Sequence, residues 1–215
     1  MIETGSYELL SFEEALGRLR FDREISLGLV DLSSFRIAYC ARDFVHIGDM
    51  ELHQWMWRDK IAGLVVDGDM SIHGDLMDDS FDGAAAFVLA RGNLRARAVT
   101  LGGAEVVVRG DMRAEGPVFN NSSAGRCEIG GSLFASHLVT DDHATVVAGR
   151  APAHSFALGY VDPTMSEKLR PVNSYLDILT PEAAAELLDA RRGAGPKVVV
   201  RILTAIRAGR SILRD

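Results

Sequence analysis

Six histidines, two cysteines and a run of arginines carry most of the chemistry available to this 215-residue chain. The histidines at 46, 53, 73, 137, 143 and 154 include no pair at metal-ligand spacing supported by cysteine or carboxylate partners. His143, directly after Asp141 and Asp142, is the densest titratable cluster and is weighed as an acid–base or metal group against a polar corner. Cys40 and Cys127 lack CxxC spacing, so two reduced, ordinary thiols are expected. No GxxxxGK[ST] phosphate loop, GxSxG elbow or HExxH helix occurs, and Gly102-Gly103 lacks the rest of a dinucleotide fingerprint. No catalytic residue, metal site or cofactor is therefore assigned, and the chain is expected not to be an enzyme.

Recognition chemistry is better represented. Arg91, Arg95, Arg97, Arg109 and Arg113 lie close together, and guanidinium forks suit carboxylates. Trp55 and Trp57, the two tryptophans, fall within His53-Gln54-Trp55-Met56-Trp57-Arg58, and such aromatics either anchor a partner or cover a core edge. The surrounding chain is acidic: 23 Lys+Arg against 30 Asp+Glu leave a net charge of −7. That balance disfavours nucleic acid and anionic membranes, and points the arginines toward a protein.

These residues are positioned by a repeat. Gly68-Asp69, Gly92-Asn93, Gly110-Asp111 and Gly131-Ser132 recur, with outliers at Gly48-Asp49 and Gly149-Arg150, in steps of 20, 24, 18, 21 and 18 residues. Aligned on the glycine, alternate positions are apolar or small: Leu64, Val88, Val106 and Cys127; Val66, Ala90, Val108 and Ile129; Met70, Leu94, Met112 and Leu133; Ile72, Ala96, Ala114 and Ala135. Period two is the signature of strands. Phe44, His46, Met50 and Leu52 follow the same pattern around Gly48. The expected fold is mainly β, a single-stranded parallel β-helix of about six coils, made right-handed by its unequal coil lengths.

At each corner the glycine is expected to supply either positive φ or close approach of the neighbouring coil, and its polar follower to bond nearby amides. A calcium ladder is the alternative for Asp69, Asn93, Asp111 and Ser132, and neutral Asn93 between two aspartates speaks against it. His137, six after Gly131, reads as a hydrogen-bonded corner residue. The outward columns place Arg91 and Arg109 one before the glycine, Arg95 and Arg113 three after it and Arg97 five after it. Those five arginines are the first candidate partner face, against a solvated ladder balanced by Asp67, Asp111 and Glu115.

The expected layout is an N-terminal helix and strand cap over 1–43, the solenoid over 44–150, and a loop with a helical cap over 151–215. Ser11 with Glu14 forms a capping box ahead of Phe12, Ala15, Leu16 and Leu19; Ile25 to Tyr39 reads as strand-like. Pro152 to Val172 reads as a crossing loop. Thr180-Pro181 starts a helix that runs to about Arg192 with Gly193 as its stop, and Val199, Ile202, Leu203 and Ile206 recur at helical spacing. With no signal sequence and no long apolar run, a cytoplasmic location is expected.

The Gly68-Asp69-Met70, Gly92-Asn93-Leu94 and Gly110-Asp111-Met112 repeats resemble those of bactofilin-like, polymer-forming bacterial β-solenoids. The longer flanks depart from that family, whose cores carry short tails. The whole layout, ending in Ile206-Arg207-Ala208-Gly209-Arg210-Ser211-Ile212-Leu213, also resembles small bacterial solenoid proteins linked to polymorphic-toxin immunity. The resemblance implies a non-catalytic binder of a protein partner such as a cognate toxin, with a small homo-oligomer admitted. End-to-end self-assembly is the alternative. A hexapeptide-type acyltransferase comes third, since steps of 20, 24 and 21 break a six-residue period.

Overall fold

The computed structural model describes residues 6–26, 31–80, 86–187 and 196–214. Parallel coils stack into a β-solenoid with three sheets running along it. The first sheet orders Glu8–Ser11, Arg36–Cys40, Ile61–Val66, Phe87–Ala90, Glu105–Val108, Arg126–Ile129 and Ala144–Val147. The second runs from Met50–Glu51 through Leu76–Met77, Val99–Leu101, Val118–Asn121, Leu138–Asp141 and Ser155–Leu158 to Arg170–Pro171. The third comprises Phe44–His46, Met70–Ile72, Leu94–Ala96, Met112–Ala114 and Leu133–Phe134. Among the described strands of these sheets, every pairing is parallel except Glu8–Ser11 against Arg36–Cys40.

The interior follows from the period-two columns. Leu64, Val88, Val106 and Cys127 pair in register, as do Val66, Ala90, Val108 and Ile129, and Met70, Leu94, Met112 and Leu133. All are buried. A one-residue slip would move each column out of the interior to the opposite face of its sheet, so packing fixes the register.

The corners explain the glycines. The Asp69 amide donates to Asp43 Oδ1 (2.9 Å), Asn93 to Asp69 Oδ1 (2.8 Å), Asp111 to Asn93 Oδ1 (2.8 Å), Ser132 to Asp111 Oδ1 (2.8 Å) and Arg150 to Ser132 Oγ (3.1 Å). Each polar side chain thus reaches up to the backbone of the following coil. A Cβ built on Gly92 would sit 2.6 Å from the Gly68 carbonyl oxygen and closer still to Asp69 Oδ1. Close approach, not positive φ, demands glycine here.

Gly48-Asp49 belongs to a different corner. Phe44 pairs with Met70 and Met50 with Leu76, so the first-coil counterpart of Gly68-Asp69 is Arg42-Asp43. Gly48 has φ +95°, and Asp49 Oδ1 accepts from the Asp75 amide (2.8 Å) at the corner joining the third sheet to the second. The glycine alignment misplaces this coil because Arg42 occupies the position where the next coils carry glycine.

Two flanking readings are corrected or bounded, and one helix interrupts the first coil. The Pro152 to Val172 stretch holds strands Ser155–Leu158 and Arg170–Pro171, which pair in parallel with the second sheet. Prolines disguised it, yet they fall beside the four-residue strand or at the sheet edge, where no ladder bond is lost. Of Ile25 to Tyr39, Arg36–Tyr39 is strand, and 27–30 lie outside the described residues. The six-residue helix α2, defined in chain order after α1 (Phe12–Leu19), spans Leu52–Trp57 and has no counterpart in the repeat. Leu52 and Met56, one helical turn apart, bury one face of it.

At the start, the Ser11 and Glu14 capping box opens α1 as read. The chain then lies against the outer face of the first sheet, where Phe21 stacks on Phe87 at 5.0 Å and Val65, Leu89 and Val107 are buried. At the other end come α3 (Pro181–Leu187) and α4 (Pro196–Arg207). The expected continuation to Arg192 and Gly193 lies outside the described residues. Both helices pack with Phe119, Val139 and Phe156 on the outer face of the second sheet, along the flank of the rod. Met165 and Leu169, by contrast, join the interior cluster beside the last coil, where the Val147 amide meets Met165 Sδ at 3.1 Å. No described helix is long and apolar enough to cross a membrane.

Candidate partner-binding surface

The five arginines do not form one patch. Arg91 and Arg109 stand beside the first sheet and share Glu24: Arg91 Nη2 lies 3.1 Å from Oε1, and Arg109 Nε 2.8 Å from Oε2. Arg91 also donates to the Leu19 carbonyl oxygen (2.8 Å) and pairs with Asp67 (2.8 Å); Arg109 reaches Glu128 (2.9 Å). Arg126 bonds Glu105, Glu128 and the Glu24 carbonyl oxygen. Bonding to Glu24 raises the Arg109 pKa, and burial raises that of Glu105, which accepts the Ser26 amide at 2.8 Å. These cations hold the N-terminal segment against the rod.

Arg97 is committed elsewhere. Its Nε and Nη2 form a fork on Asp75 at 2.8 and 2.9 Å, with Asp49 at 3.4 Å, and the Asp75 bond raises its pKa. Arg95 and Arg113 remain exposed. They are in register on adjacent strands of the third sheet, within the outward column Val45, Ser71, Arg95, Arg113 and Phe134. Arg95 pairs with Glu115 at 3.0 Å, two largely solvated side chains whose attraction is weak. Arg113 lies 4.1 Å above the Phe134 ring, and Phe134 is 42 % exposed. Beside them Ser71, His73, Arg95, Arg97 and Glu115 line a depression of about 320 Å³.

The tryptophans also divide. Trp55 is half-buried and packs with Tyr7 (5.9 Å) and His46 (6.2 Å) at the N-terminal end of the interior, where Tyr7 also meets Phe44. It covers a core edge. Trp57 is 50 % exposed, edge-on to Phe35 at 6.0 Å with the Lys60 ammonium 5.7 Å from its ring.

The histidine cluster is internal. His143 is buried, its Nδ1 3.1 Å from Thr145 Oγ1, which also receives Asn120 Nδ2 at 3.1 Å. Burial pulls its pKa down to about 4, so the ring is neutral. Asp141 instead accepts a hydrogen bond from the Tyr175 hydroxyl, and Asp142 Oδ1 accepts one from the Tyr160 amide at 2.8 Å, as at the other corners. The three neighbours in sequence therefore serve separate contacts. His137 Nε2 donates to the Arg214 carbonyl oxygen (2.9 Å), the hydrogen-bonded corner role read from the sequence. Cys40 and Cys127 are free and buried, and burial lifts the Cys127 thiol to about 12, which leaves it unreactive. Among the described residues no three His, Cys, Asp or Glu side chains gather as a metal site.

Phe134 and Val45 were not singled out by sequence, although a signal existed. Phe134 stands three after Gly131, the offset of Arg95 and Arg113, and Val45 stands three after Arg42 once the first coil is aligned on Asp43. Glu24 carried no signal, since its role depends on a chain reversal between elements. Comparisons with family models, with characterised proteins and with solved structures return no match.

Proposed function

We propose that the chain is a non-catalytic protein-binding solenoid, acting as an immunity protein that covers a toxin with the outer face of its third sheet. The observation that carries this is the unequal covering of the three faces. Among the described residues, the first sheet is covered by the N-terminal segment and the second by α3 and α4, while the third is bare and carries Arg95, Arg113, Phe134 and Val45. A rigid face of alternating guanidinium and apolar groups suits an acidic protein surface, with carboxylates for the arginines and aliphatic contacts for Phe134. With this function goes a right-handed rod of about six coils in the cytoplasm, closed at its ends by the flanking segments.

Bactofilin-like assembly end to end is the weaker alternative, because Met165 and Leu169 sit over the last coil and the antiparallel strand Glu8–Ser11 lies outside the first. The experiment is co-expression with the product of the adjacent gene, followed by titration of the purified pair. Binding at micromolar affinity, lost at least tenfold in Arg95→Glu with Arg113→Glu, is expected. No binding, or binding indifferent to both reversals, overturns the proposal.

A further inference from the structure

We infer that the chain also holds a small amphipathic carboxylate in a cavity between the solenoid and its C-terminal tail. The cavity measures about 310 Å³, at the small end of ligand-binding pockets. Arg97, Ser136 and His137 line it from the corner joining the third and second sheets; Ile206, Arg210 and Ile212 line it from the tail. Among the described residues no aspartate or glutamate lines it, although the chain as a whole is acidic. Two arginines more than 100 residues apart in sequence thus converge on an apolar wall.

Each guanidinium is held by its own acid outside the lining. Arg97 forks onto Asp75, and Arg210 onto Glu186 with Nη1 at 2.9 Å. Arg97 Nη1 and Arg210 Nε have no partner among the described residues, so each positioned cation keeps unused N–H donors. Two cations beside a mainly apolar lining suit a carboxylate that carries an alkyl chain better than a fully polar phosphate. Ala98, Pro117, Ile206, Ile212 and Leu213 give the cavity an apolar lining that an alkyl chain can fill. His137 Nε2 donates to the Arg214 carbonyl oxygen, which fixes the ring at the cavity wall. The site is on the flank bearing the tail and shares only Arg97 with the depression beside Arg95 and Arg113.

The test is calorimetric titration of the full chain with sodium octanoate and, separately, sodium phosphate. The expected result is one saturable octanoate site, with phosphate at least tenfold weaker. Arg210→Gln should weaken octanoate tenfold or more by removing the charge, and Ser136→Trp should do so by filling the exposed rim, with thermal unfolding used to verify that both variants fold. Absence of a saturable octanoate site below its micellar concentration overturns the inference. So does phosphate binding as tightly as octanoate, or affinity unchanged in both variants.

Discussion

Between Asp69 and Asp111 the corner side chain is an amide. Asn93 Nδ2 donates to Asp69 Oδ1 at 3.1 Å while its own Oδ1 accepts from the Asp111 amide, a double role that a carboxylate cannot fill. Asn93→Asp should therefore cost about 1 kcal/mol through one lost bond and a third adjacent charge. Urea unfolding should show the deficit shrinking at high salt, and equal stability of the two chains would sink the account. The glycine beside it is tested by contrast. Gly92→Ala drives a Cβ into the Gly68 carbonyl and should destabilise by about 1–3 kcal/mol. Gly17→Ala, in α1 with nothing within 4 Å, should stabilise by about 0.5–1 kcal/mol. His143 adds a pH dependence. Its folded pKa lies near 4 against 6.5 unfolded, so the unfolded chain binds the proton first and stability is lost as pH falls from about 6.5 to 4. The loss is on the order of 3 kcal/mol. Burial raises the pKa of Asp78, Glu105 and Asp141, an opposite contribution, so the comparison is with His143→Gln, whose stability should fall less over that interval.

At the scale of elements, repeat-borne features were legible and contacts between elements were not. The interior columns and the corner ladder repeat at each coil, so the sequence states them several times over. Strand Ser155–Leu158 and helix α2 occur once, one between prolines and the other behind a corner whose register is set by Asp43 and not by Gly48. The arginine columns were placed on the correct outward parity, but parity alone does not say that Glu24 occupies two of them. That pairing is itself testable. Glu24→Gln should release the Phe12–Ser26 segment, leaving Arg91 and Arg109 with weaker partners, at a cost of about 1–3 kcal/mol for a partly buried pair. Hydrogen exchange should quicken over α1 and Phe21 while the interior strands keep their protection. Uniform loss of protection throughout would show that the segment is inseparable from the solenoid.

For the whole molecule, the decisive property is which faces of the rod the chain covers with its own flanks. Sequence parity shows Phe119, Val139 and Phe156 pointing away from the interior, since Val118, Leu138 and Ser155 alternate with them. It does not show what meets them; the amphipathic spacing of Val199, Ile202, Leu203 and Ile206 shows an apolar helix face without naming its mate. The structure joins the two, and Arg207 fastens the join through Asp79 and through Thr100 Oγ1 at 3.1 Å. A chain ended after Val172 keeps its last strand pair, because the Val172 amide bonds the Ala157 carbonyl oxygen at 2.9 Å, and should retain a β-type circular dichroism spectrum. It exposes a continuous apolar strip of aromatic and branched side chains, which water disfavours and a second copy can cover. Light scattering should then find self-association that rises with concentration, while the full chain at the same concentration does not associate. A truncated chain that stays monomeric would mean that α3 and α4 do not shield this face, and the distinction between covered and bare faces would lose its force.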